Sequence, residues 1–172
     1  LYHYAGASPT ALSADTCLQR AKALVAHAEV TNGKERLAHM EALTFLKAGE
    51  CDSALVRWEH QLARRRSALR PDPVWISWSL SLVAQAHLCA HRYKQAVQCA
   101  KEGLSIAGEH GLVKETMDNL VPLAKGYEGL GEDRNALRTW KQYYAREDSV
   151  DATSAAANLS GSLLAADFAK QQ

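Results

Sequence analysis

The chain has 172 residues, with 20 basic and 19 acidic side chains, a formal net charge of +1 and 47% hydrophobic residues. That length supports one domain with a substantial core, and the even charge balance provides no global field toward nucleic acid or a membrane surface. No apolar run reaches the ~18 residues of a membrane span; residues 1–30 do not read as a secretory leader, and the chain opens at Leu1 rather than Met, as a fragment or a processed form that has lost a leader or span would.

Heavy use of Ala and Leu with only 4 Pro makes helix the expected element throughout. Residues 1–7, LYHYAGA, read as an N-terminal tail or a truncated helix. Ser8 then caps a helix that Pro9 opens, running to about Ala28 before the Asn32-Gly33 turn. Helices follow at roughly 34–48 and 52–69. Arg70-Pro71-Asp72-Pro73 is a firm break, with Asp72 as cap and Pro73 at the start of a helix reaching about Ala90. Its partner runs from Tyr93 to His110 and is closed by Gly111. The last pair spans roughly 113–130 and 133–147. Pro122 falls inside the first of these, where it removes a backbone bond and is expected to kink the helix. Residues 148–172 form a C-terminal capping or linker helix, with Leu159, Leu163, Leu164 and Phe168 on one face.

These elements repeat. VAQAHLCAHRYKQAVQCAKEGL, beginning at Val83, aligns without gaps on LAKGYEGLGEDRNALRTWKQYY forty residues later. A third copy is ALTFLKAGECDSALVRWEHQL, and a half copy, ASPTALSADTCLQRAKAL, precedes it. Alanines 14, 54, 96 and 136 recur at one position of the second helix in each unit, where a methyl lets two helix backbones approach closely. A period of this length marks stacked helical units, here a half repeat at 8–32 and repeats at 33–70, 72–111 and 112–147.

The repeated residues resemble the tetratricopeptide family. Ala124, Tyr127, Gly131, Ala136 and Trp140 meet its pattern in full. Ala42, Phe45, Gly49, Ala54 and Trp58 meet it nearly as well, whereas Ala84, His87, His91, Ala96 and Ala100 have His in place of the aromatic and the glycine. The resemblance implies an all-α, right-handed superhelix of helix-turn-helix units of about 40 residues with a C-terminal capping helix. It also implies a non-catalytic protein- or peptide-binding module. Residues 143–172, from YYAREDS onward, are similar to the segment after the last such repeat in bacterial signalling proteins, where a diguanylate cyclase or histidine kinase domain follows. This implies a sensory or regulatory role. The alternative is a self-assembling adaptor that forms a homodimer or larger scaffold through its terminal helices.

Carried onto this chain, the family's groove positions are Arg36, His39, Leu43 and Lys47 in one repeat. The next supplies Trp78, Ser81, Gln85 and Cys89, and the last Asp118, Val121, Lys125 and Glu128. This mixture suits a peptide with apolar and charged anchors, with Trp75 and Trp78 as natural aromatic contacts. No repeated Lys and Asn carboxylate clamp is evident.

No catalytic arrangement emerges. There is no Ser-His-Asp order, phosphate-binding glycine loop or paired-carboxylate motif, and GYEGLG lacks the lysine and the preceding strand of a phosphate loop. His87 and His91 share a helix face but sit at packing and turn positions, so neither a metal nor another cofactor is expected. Arg57, Arg64, Arg65, Arg66 and Arg70 give one helix a basic end, read as a solvated face or a clamp for an acidic peptide rather than a nucleic-acid site. Cys17, Cys51, Cys89 and Cys99 form no CxxC pair. Cys51, Cys89 and Cys99 are expected as packing thiols without a disulfide, although Cys89 and Cys99 lie on adjacent antiparallel helices, and a cytoplasmic location is favoured over a periplasmic one.

Overall fold

The computed structural model describes residues 33–150 and the isolated helical positions 16, 19, 20 and 23. The expected tail at 1–7, most of the half repeat at 8–32 and the capping segment at 151–172 lie outside the described residues. Among those described, every regular element is a helix. We label them α1 (Gly33–Lys47), α2 (Cys51–Arg66), α3 (Pro73–Cys89), α4 (Tyr93–Glu109), α5 (Val113–Gly129) and α6 (133–150).

Four turns share one backbone solution. Gly49, His91, Gly111 and Gly131 take left-handed conformations, with φ of 79°, 55°, 65° and 71°. In each, the next N–H bonds back to a carbonyl five residues earlier: Glu50 to Phe45, Arg92 to His87, Leu112 to Ala107 and Glu132 to Tyr127, at 2.8–2.9 Å. The left-handed residue's own N–H bonds to the carbonyl three before it. This paired closure satisfies the orphan carbonyls of a helix end and reverses the chain tightly. The α2–α3 link differs. Asp72 caps α3 by accepting from Val74 N–H at 2.9 Å, and Pro73 occupies the first helical position. α2 ends at Arg66 rather than near residue 69, because the Ser67 N–H and hydroxyl close its last turn onto Ala63 and Arg64 carbonyls.

From α1 to α5 each helix packs on the next, α3 also packs on α5, and Ala136 of α6 joins Leu123 and Tyr127 of α5 in one core cluster. The recurring alanines of the paired helices, Ala42 and Ala54, Ala84 and Ala96, and Ala124 and Ala136, are all buried, none more than 4% exposed. One core cluster gathers Ala42, Ala54, Leu55, Trp58, Leu62, Ile76, Leu80 and Val83; a second gathers Ala84, Val97, Ala100, Leu123, Tyr127 and Ala136. α3 belongs to both and is buried on nearly every side. Its serines turn their hydroxyls onto backbone, Ser79 to Trp75 O and Ser81 to Trp78 O, at 2.7 and 2.8 Å. Pro122 is buried within an uninterrupted α5.

A buried polar node joins three helices. Ser77 Oγ on α3 donates to Gly103 O on α4 at 2.8 Å. Asn119 Nδ2 on α5 donates to Ser77 O, Ser77 Oγ and Glu115 O at 3.2, 3.1 and 2.8 Å. A methyl added at Gly103 would overlap the Asn119 amide.

One expectation is corrected. Cys51 and Cys89 are joined by a disulfide, with Cα atoms 5.6 Å apart and a sequence separation of 38. Cys51 opens α2 and Cys89 closes α3. Antiparallel packing of these two helices brings the start of one beside the end of the other, a pairing hidden when only the hairpin partner α4 is considered. Cys99 is a free, half-buried thiol.

Two substitutions test this architecture by chemical denaturation. Gly103→Ala should destabilise the protein by about 2–4 kcal/mol, through overpacking and loss of the Asn119 bonds. His91→Gly should stabilise it by about 0.5–1 kcal/mol, as relief of a left-handed side chain outweighs added freedom in the unfolded chain.

Candidate functional site

A cavity of about 640 Å³ opens across α1, α3, α5 and α6. Its walls are Leu46 from α1, Gln85, Leu88 and Cys89 from α3, Lys114, Met117, Asp118, Val121, Pro122 and Lys125 from α5, and Tyr143 from α6. The α5 residues recur every three or four positions, so they form one face of that helix.

The floor is apolar, and its polar groups are unequal. Lys114 and Asp118 neutralise one another at 2.7 Å. Lys125 is exposed and pairs with no carboxylate among the described residues, and the half-buried Gln85 amide has no hydrogen-bond partner there. Pro122 has no N–H, so the Asp118 carbonyl lacks the donor that an ordinary helix supplies four residues on. An ammonium and an amide thus remain for a ligand beside Leu88, Met117 and Val121.

Of the expected groove residues, Gln85, Cys89, Asp118, Val121 and Lys125 come together here. The others do not. Arg36 and Lys47 are exposed elsewhere on α1, and Leu43 packs against the first core cluster. Ser81 is 1% exposed, so its side chain reaches no groove. Glu128 accepts from Trp140 Nε1 at 2.7 Å. Leu46, Leu88, Lys114, Met117, Pro122 and Tyr143 were not anticipated. Lys114 and Met117 lie one turn before Asp118 and Val121, and extending that stripe along the helix would have found them.

His39 and Trp78 belong to a separate ring cluster. The His39 ring lies 4.8 Å from that of Trp78, whose ring is 5.5 Å from Trp75. Trp58 Nε1 donates to His39 Nδ1 at 3.3 Å, which requires that nitrogen to be unprotonated. The Arg65 guanidinium lies over Trp75 and Trp78, 4.9 and 5.4 Å from their centroids, and bonds to Trp75 O and Ser79 Oγ. Both indoles are thereby held within the fold, although Trp75 keeps an exposed face. The basic end of α2 is similarly engaged: Arg57 pairs with Glu41 at 2.6 Å, Arg64 with Glu35 at 3.5 Å, and Arg66 with Glu102.

No metal constellation is formed by His, Cys, Asp and Glu among the described residues. His87 is 8% exposed with a partnerless Nδ1, and His91 forms a turn.

Compared with protein-family models, curated proteins and solved structures, the chain finds no match.

Burial, reinforced by Arg65, lowers the His39 pKa below the ordinary histidine value. Burial also lowers that of His87, with Arg92 adding to it and Glu59 and Asp52 opposing it. The unfolded chain therefore takes up protons more readily than the native state. Stability should be fully present above the ordinary histidine value near 6.5, and fall as pH drops below it toward the depressed native values. Denaturation midpoints at about pH 7.5 and about pH 5 check this sign. The loss on acidification should shrink in His39→Gln.

Proposed function

We propose that this chain is a non-catalytic, tetratricopeptide-type binding module that takes a peptide segment of a partner protein across α3 and α5. Its role is the sensory or regulatory part of a bacterial signal-transduction protein. The observation that carries the binding reading is the cavity itself: Gln85 and Lys125, without partners among the described residues, flank an apolar floor. A lone ammonium beside apolar side chains selects an apolar anchor next to a carboxylate, and the Gln85 amide can match a peptide group. The repeating turns, the buried alanines and the helix order support a right-handed superhelix of the tetratricopeptide kind. The signalling role rests on the likeness of residues 143–172 to segments that precede output domains. The Cys51–Cys89 bridge argues for an oxidising compartment, against the cytoplasmic expectation.

A second reading, self-assembly through the terminal helix, has one observation in its favour. Leu137 and Tyr144 are spaced seven apart on α6 and are 58% and 56% exposed, an apolar row suited to another copy.

Selection of peptides on the full chain, followed by titration calorimetry, tests the first reading. Selected peptides should carry an acidic residue beside an apolar one. Lys125→Glu and Val121→Asp should each weaken them by at least about tenfold, equivalent to ~1.4 kcal/mol. Peptides that bind both variants as tightly as the parent would sink the proposal. Light scattering over a concentration series that shows a dimer abolished by Leu137→Asp would favour assembly instead.

A further inference from the structure

We propose that the Cys51–Cys89 disulfide is a directional exchange site: a small anionic thiol entering the cavity attacks the Cys89 sulfur, expels Cys51 as thiolate, and leaves Cys89 S-thiolated. Two independent observations choose the direction. The first is position: both cysteines are part-exposed, but only Cys89 lines the cavity, so a thiol held there meets Cys89. The second is the leaving group. Cys51 is the first residue of α2, where unsatisfied N–H groups and the positive end of the helix stabilise a thiolate. Cys89 is the last residue of α3, at the negative end of its helix. Of the acidic residues flanking Cys51, Asp52 is paired with Arg92 at 2.6 Å, which weakens its field at the sulfur, while Glu50 accepts only from the Ser53 hydroxyl at 3.4 Å and opposes the helix end. Exchange runs faster when the departing thiol is the more acidic one.

The step balances without a further reagent. The incoming thiolate forms a sulfur–sulfur bond to Cys89, the Cys51–Cys89 bond breaks, and its electron pair leaves on Cys51, which takes a proton from water. Cys51 can later return by expelling the small thiol, or a second thiolate can take that thiol away as its own disulfide and leave both cysteines reduced. Lys125, unpaired on the same cavity wall, favours a thiol that carries carboxylates. Cys99 is a poor competitor, since burial raises its thiol pKa, with Glu102 adding to the effect.

The full-length oxidised chain is incubated with glutathione, quenched with iodoacetamide, digested and mapped by mass spectrometry. The expected product carries glutathione on Cys89 and an alkylated Cys51, in roughly tenfold excess over the reverse arrangement. Lys125→Gln should slow adduct formation with glutathione but not with cysteamine, a cationic thiol. Equal adducts on both cysteines, a preference for Cys51, or free thiols at both positions before any thiol is added would each overturn the proposal. Because it needs only the bridge and the cavity wall, failure of peptide binding would leave it standing, and the reverse also holds.

Discussion

The fold depends on how closely two helices can approach in each pair. Ala42, Ala54, Ala84, Ala96, Ala124 and Ala136 put only a methyl at the recurring positions of the paired helices, and all six are buried. With no longer side chain to hold the backbones apart, the large residues pack beside the crossings instead, as Trp58 and Tyr127 do. The turns then follow from geometry. Helices this close must reverse within a few residues, and a left-handed residue followed by the double backbone closure does so without leaving buried carbonyls unpaired.

Much of this was legible because it is periodic. Spacing located the turns even where the residue type misled: His91 holds the same left-handed conformation as Gly49 and Gly131, although nothing about histidine announces it. Spacing also located the buried alanines, because a position forced to be small recurs in every unit. What could not be read are features created by non-neighbouring packing. The Asn119–Ser77–Gly103 node joins three helices, and each residue alone looks ordinary. The Cys51–Cys89 bridge is formed between consecutive units rather than within one.

The candidate site was legible in part for the same reason. On α5 the expected positions 118, 121 and 125 all reach the cavity, since α5 lies alongside α3 and presents one continuous face. On α1, Leu46 reaches the cavity, while the expected Arg36, His39, Leu43 and Lys47 lie outside it. α1 touches α3 through the His39 and Trp78 rings rather than along a shared seam. Which of its residues face the cavity therefore depends on helix tilt, which heptad-scale patterns do not encode.

These observations converge on α3. It joins both core clusters, anchors the buried polar node through Ser77, and ends at the disulfide. The same helix presents Gln85, Leu88 and Cys89 to the cavity. Most of its surface is fixed by the core, so a ligand on this wall meets a rigid surface and loses little freedom in ordering it. The bridge is the exception, because it is the one covalent link among the described contacts between α3 and the preceding unit, and one of its two cysteines lines the cavity. Opening it removes that covalent link at the C-terminal end of α3, while the Arg92–Asp52 ion pair, the core and Ser77 still hold the helix in place. Any effect of thiol exchange on the cavity should therefore be confined to the Leu88–Cys89 end, leaving the Asp118–Val121–Lys125 face of α5 in place.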